Sequence, residues 1–376
     1  MYFKSFFSRG NDEKSVVDEI YSKLNNSEVK ILLFFSSTNY DFSKITSYFN
    51  EKVNGAYEVI GCTTSGEIAQ NSGITKGGIS AIAMGEPNMK IGVVPIEEIN
   101  RIPLLSRKPI IETIQKLGYS PNQSNYKDLA SILLIDGLHG AEEKVLSIIN
   151  SIFDGNLDLI GGSAGDDLKF KQTLVSYNGI VYENSAILSF IKTSTKFKLY
   201  KENIFIPQGI TMNITKADEK SRKIIEIDGK PAKTRYAELL GVNKNDLEKS
   251  ILKNPIGRRI GDNTYISSIA GIDGETLNMY AQVFENTQVE ILLAKDPLEV
   301  QLETISQIRN DFSKVEGMFC VNCILRFLQF EAEDTLEKLS NGLSSLGEYG
   351  GFVSYGEQNK KQHFNQTLTM LVFGRD

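Results

Sequence analysis

The chain has no tryptophan, two histidines and three cysteines in 376 residues. Each shortage removes a class of explanation. His139 and His363 have no His partner four residues away, so no zinc-protease helix can form. Three cysteines cannot make a disulfide framework. The opening MYFKSFFSRGNDEK meets charge at Lys4 without an apolar signal region. Reduced thiols in a cytoplasm are therefore expected. No window reaches the length and apolarity of a membrane span. Basic excess is lacking too. The net charge is −6 and the signs are mixed, which is no footprint for nucleic acid.

What is present is aromatic bulk of another kind, 20 Phe and 15 Tyr. The length suggests two domains with cores large enough to need no metal or disulfide. One pattern occurs three times. ILLFFSS leads through DFSKITSYFNEKV to YEVIGCTTSGEI. ILLIDGL leads through AEEKVLSIINSIF to LDLIGGSAGDDL. MFCVNCIL leads through EAEDTLEKLSNGLSSL to YGGFVSYGEQ. Each reads as strand, helix, strand, from β-branched apolar runs and flanking Gly. Hairpin turns are expected at GEPN, Asn178-Gly179, Asp228-Gly229 and Asp273-Gly274.

The expected fold class is α/β (α+β): two domains with mixed sheets built from repeated β-α-β units followed by hairpins. Residues 1–27 read as an N-terminal extension. Residues 28–215 read as a first domain with two units, and 216–376 as a second domain with the third. Frequent Lys and fading apolar period place a linker near 196–220.

Every unit ends in Gly and an acid: Ser65-Gly66-Glu67, Ala164-Gly165-Asp166 and Tyr355-Gly356-Glu357. Open α/β sheets bind ligands at the carboxyl ends of strands. A Gly there lets the backbone turn or a ligand approach, and a carboxylate can take an amino group. Thr63, Ser65 and Ser163 add short-reach hydroxyls. Arg326 is one charge in apolar CILRFLQF. It requires a carboxylate, either Glu331 or one on a ligand. Tyr355 and Glu357 are expected to face Asn365 and Thr367 across the last hairpin, with Arg326 on the strand before.

Other motifs carry less. GGSAGDD lacks both the Lys-Ser/Thr of a phosphate loop and the spacing of a dinucleotide site. Cys320-Val-Asn-Cys323 lies on an apolar strand, as buried and inert thiols do. Nothing in the sequence aligns Cys62 or Cys320 with His363 as a catalytic pair, so a hydrolase is the weakest reading.

Six blocks together, GCTTSGEI, IGGSAGDD, IDGKPAKTRYAELLG, NPIG, CILRF and GGFVSYGEQ with HFNQT, stand in the order found in FIST sensory proteins. The chain resembles that family over nearly its whole length, in both its N-terminal and C-terminal parts. The resemblance implies a cytoplasmic sensor, not an enzyme, that binds a small ligand such as an amino acid. It implies a separate partner: a histidine kinase, a diguanylate cyclase or phosphodiesterase, or a chemotaxis receptor. A homodimer is compatible with it. Asn254 stands before Pro255 where the family pattern leads one to expect His. A subgroup, the NosP type, binds haem and senses nitric oxide. On that alternative His139, on the loop after a strand, would be the axial ligand.

Overall fold

The computed structural model describes residues 1–25, 27–260 and 263–376. Its contacts divide the chain into two units. One comprises 1–202, 301–363 and 368–376; the other comprises 203–300 and 364–367.

The first unit contains three copies of one strand plan. Module one runs β1 (Tyr2–Ser8), α1 (Glu13–Ser22), β2 (Ile31–Ser36), α2 (Phe42–Val53), β3 (Glu58–Thr63), a hairpin of β4 (Glu67–Ala69) and β5 (Gly73–Thr75), and β6 (Ile79–Gly85). Module two runs β7 (Lys90–Ile96), α3 (Arg107–Lys116), β8 (Leu129–Ile135), α4 (Glu142–Phe153), β9 (Asp158–Ser163), a hairpin of β10 (Val175–Tyr177) and β11 (Ile180–Tyr182), and β12 (Ala186–Lys192). Module three opens with β13 (Lys196–Asn203).

The second unit follows in the chain. It consists of β14 (Phe205–Asp218), β15 (Lys223–Ile227), β16 (Lys230–Pro231), α5 (Ala232–Leu240), β17 (Ile256–Ile260), β18 (Asn263–Ser267), β19 (Ile269–Asp273), β20 (Thr276–Met279) and β21 (Thr287–Ala294). These strands form one antiparallel sheet around Ile214, Ile224, Tyr236, Leu277 and Ile291.

Module three then resumes with α6 (Pro297–Asp311), β22 (Lys314–Cys323), α7 (Ile324–Ala332), α8 (Leu336–Ser344), β23 (Tyr349–Ser354), a hairpin of β24 (Glu357–Asn359) and β25 (Gln362–Phe364), and β26 (Thr367–Arg375).

The three β-α-β units do not share a sheet. Each builds its own, in the orders β1-β6-β2-β3, β7-β12-β8-β9 and β13-β26-β22-β23. The β-α-β pair is parallel in every case. Each sheet is then extended by another module's hairpin. Module two's β10 pairs with β3, module three's β24 with β9, and module one's β4 with β23. The exchange is cyclic.

The sequence explains why the sheets converge. Along β2, Ile31, Leu33 and Phe35 face a central core shared with Ile132, Leu134, Phe319 and Phe352, while Leu32 and Phe34 face α1 and α2. A strand covered on both faces reads as an unbroken apolar run. Phe35 stacks on Phe352 at 4.7 Å and on Phe319 at 5.9 Å. Helix α2 is amphipathic through Phe42, Ile45, Phe49 and Val53. Asp41 caps its start, and left-handed Asn54 ends it.

Two expectations are corrected here. The segment 196–220 is no linker, since β13 and β14 occupy most of it. In KFKLYKEN, Lys alternates with Phe197 and Leu199, the period of a one-sided strand. Arg326 lies on helix α7, because the strand ends at Cys323 and the helix begins at the next residue.

Candidate functional site

The last cross-strand pairs of the three parallel ladders are Ser36 with Thr63, Ile135 with Ser163 and Cys323 with Ser354. Thr63, Ser163 and Ser354 are therefore equivalent. Counting on from them, Asp166 and Glu357 correspond to each other, whereas Glu67 corresponds to Gln358. Hairpin pairing agrees: Glu67 lies opposite Phe352, and Gln358 opposite Gly161. The three acids do not occupy matched positions, contrary to the Gly-acid reading. A one-residue slip turns a side chain to the other face.

Glu67 is fully buried. Its carboxylate accepts the Thr64 hydroxyl at 2.8 Å and the Gly78 N–H at 2.9 Å. Burial pushes its pKa up to about 8, more than these hydrogen bonds pull it down. Between its ordinary value of 4.5 and about 8, the unfolded chain loses this proton while the folded chain keeps it. Stability should therefore fall as pH rises through that window. Glu67→Gln is expected to gain on the wild type across that window and to show no changing gap below it. Urea unfolding of both proteins from pH 4 to 8.5 checks this, and parallel profiles would contradict it.

Glu357 is also buried and accepts the Ser354 hydroxyl at 2.7 Å. Ser163 donates to Glu142 at 3.1 Å and accepts from Gln358 at 3.2 Å; Gln358 meets His363 Nδ1 at 3.1 Å. Ser65 is buried beside Gly165, where an added Cβ would meet its hydroxyl at 2.4 Å. Asn365 and Thr367 are buried and group with the second unit. The carboxylate that Arg326 requires is Glu202, with both side chains buried. Glu331 instead meets Lys76 at the surface.

Asp166 and Thr63 do meet in an open place. A cleft of about 330 Å³ lies at the carboxyl ends of β2 and β3. It is lined by Thr38, Tyr40, Asp41, Thr63, Asp166, Lys169, Lys171 and neighbours. One wall is the loop after β2 and the start of α2. The other is the loop 166–174, brought from module two by the hairpin exchange.

Asp166 organises that second wall. It is 2% exposed and accepts the N–H groups of Phe170, Lys171 and Gln172 at 2.9, 2.6 and 3.1 Å. It also accepts the Tyr355 hydroxyl. Burial first, and then this carboxylate, push the Tyr355 phenol up, so it stays a neutral donor. The Tyr355 oxygen accepts the Leu168 N–H at 2.8 Å, and its ring stacks on Phe170 at 5.3 Å. Asp167 ties the loop to Thr38, accepting its N–H at 3.2 Å and its hydroxyl at 2.7 Å. Asp167, Leu168 and Phe170 all hold left-handed backbone, at φ 56°, 61° and 49°. Bulky residues seldom adopt it, and such strain collects at ligand clamps and switches.

Haem would require an open apolar face beside His139. The Nδ1 of that imidazole lies 3.0 Å from an Asp136 carboxylate oxygen but makes no hydrogen bond to it among the described residues. Asp136 is buried and accepts from Leu138, Thr173 and Asn184. The imidazole is 29% exposed, and Asp136, Thr173 and Asn184 make its surroundings polar. A Cβ at Gly137 would lie 2.2 Å from the Ala164 carbonyl oxygen and 3.3 Å from the Tyr355 ring. These residues do not fit a porphyrin. The thiols of Cys62 and Cys320 are pushed up by burial, and Cys323, also buried, directly precedes α7.

Models of the FIST N domain and the FIST C domain match residues 30–230 and 232–360. The chain belongs to the FIST family. FIST domains are associated with sensory signalling and small-ligand binding. An uncharacterized protein of Methanocaldococcus jannaschii is 24% identical to this FIST protein over 355 residues, covering 84% of this chain and 67% of that one. Among solved structures, cyanuric acid hydrolase from A. caulinodans is similar with a TM-score of 0.39 and 6% identity, covering 100% and 99% of the two chains. A chorismatase is similar with a TM-score of 0.36 and 8% identity, covering 99% and 98%. Among the described residues of this FIST chain, no helix is long and apolar enough to cross a membrane.

Proposed function

We propose that this FIST protein is an amino-acid sensor whose ligand sits in the cleft between α2 and the loop 166–174. The observation that carries the reading is that the cleft presents both signs of charge at the carboxyl ends of a parallel strand pair. Lys169, with the Thr38 hydroxyl at 2.7 Å from its ammonium, takes the α-carboxylate. Asp41 takes the α-ammonium. Its Oδ1 caps the helix through Ser43 and Lys44, and its Oδ2 stands 3.9 Å from the Lys44 ammonium. Tyr40 and Phe42 supply apolar wall.

The ligand orders the strained loop, and a separate kinase, cyclic-dinucleotide enzyme or chemotaxis receptor reads that loop. The protein acts by binding rather than catalysis, and its buried thiols support that reading.

A thermal-shift panel of the amino acids tests it. At least one should raise Tm, by an amount worth about 2.7 kcal/mol at a hundredfold excess over Kd. Asp41→Asn keeps the cap and removes the charge, and it should weaken that shift. No stabilising amino acid, or a shift untouched by Asp41→Asn, would sink the assignment.

A further inference from the structure

We infer that the ligand is an acidic amino acid, a zwitterion with a second carboxylate; this rests on the cleft being the amino-acid site. The inference comes from which charges in the cleft are already answered. Asp166 is buried and saturated by three N–H groups and the Tyr355 hydroxyl, so it is closed to a ligand ammonium. Lys169 is answered in part, since its ammonium bonds the Thr38 hydroxyl, which in turn donates to Asp167.

Lys171 is different. It lines the same cleft, but among the described residues its side chain has no hydrogen bond and no ion pair. Its backbone N–H is fixed to Asp166 at 2.6 Å, which roots the side chain beside the cleft.

A neutral amino acid would use Asp41 with its ammonium and Lys169 with its α-carboxylate, leaving the Lys171 ammonium facing a neutral group. A side-chain carboxylate meets that ammonium directly. Glutamate and aspartate differ from glutamine and asparagine in this charge and hardly in shape. The site should therefore separate the members of each pair by electrostatics alone. Lys171 is exposed, so the preference is modest and salt-sensitive.

Calorimetric titration of glutamate, glutamine, aspartate and asparagine at low ionic strength tests this. Either acid should bind about two- to fivefold tighter than its amide. Lys171→Met should bring the ratio close to one. Equal binding of acid and amide, or a preference that survives Lys171→Met, overturns the inference and leaves the amino-acid reading standing. If a neutral amino acid binds and none of these four does, only the acidic assignment falls. If no amino acid binds at all, both fall.

Discussion

Arg326→Ala is expected to lower stability by about 3–5 kcal/mol. The guanidinium is 2% exposed and its partner Glu202 is 1% exposed. The pair lies in the first unit, joining α7 to β13. Removing the arginine leaves that carboxylate buried without its ion-pair partner, and among the described residues Oε2 of Glu202 already lacks a hydrogen-bond partner. Arg326→Met combined with Glu202→Leu removes both charges and should recover most of the loss. Urea unfolding at constant m-value measures both. If Arg326→Ala costs less than about 1 kcal/mol, the pair behaves as a solvent-screened surface bridge and the account of it is wrong.

Gly351→Ala should be worse, beyond about 4 kcal/mol, and is expected to yield no soluble folded protein. Gly351 sits in β23 at φ 151°, and a Cβ there would lie 1.7 Å from the Cys320 carbonyl oxygen. That oxygen belongs to β22, which β23 and β26 hold from both sides. Neither strand can yield without breaking a ladder. Gly271→Ala is the control. Among the described residues nothing lies within 4 Å of an added Cβ there, so the change should stay within about 0.5 kcal/mol. Circular dichroism of the soluble fraction reads both. A folded Gly351→Ala protein with an unchanged midpoint would contradict this packing.

Local signals survived folding well. The turns at Asn178-Gly179, Asp228-Gly229 and Asp273-Gly274 connect paired strands where the dipeptides indicated, whereas GEPN makes no hairpin, because it joins β6 to β7 in different sheets. All three β-α-β units are present, because apolar runs covered on both faces leave an unmistakable stretch of sequence. Partnership between modules was not legible. The hairpin exchange places a loop of module two beside strands of module one, and no local pattern encodes that. Hence Thr63 and Asp166 were identified, but Thr38, Asp41, Lys169 and Lys171 were not. The run DDLKFKQ, with two lysines among apolar residues just after a strand, was the one available hint.

The acid alignment failed for a different reason. It anchored on Gly, and the extra residue before Gly66 shifts Glu67 to the opposite face. The apolar run holding Arg326 could be strand or buried helix on periodicity alone, and the abrupt junction at Cys323 decided for helix.

The cleft as the ligand site is the claim on which the functional reading depends. Glutamate titrated into the wild type and into the double variant Asp41→Asn with Lys171→Met tests it most directly. The account predicts one site per chain in the wild type and binding at least about tenfold weaker in the variant, a loss of about 1.4 kcal/mol. Equal affinity in the two proteins would place the ligand elsewhere and contradict it.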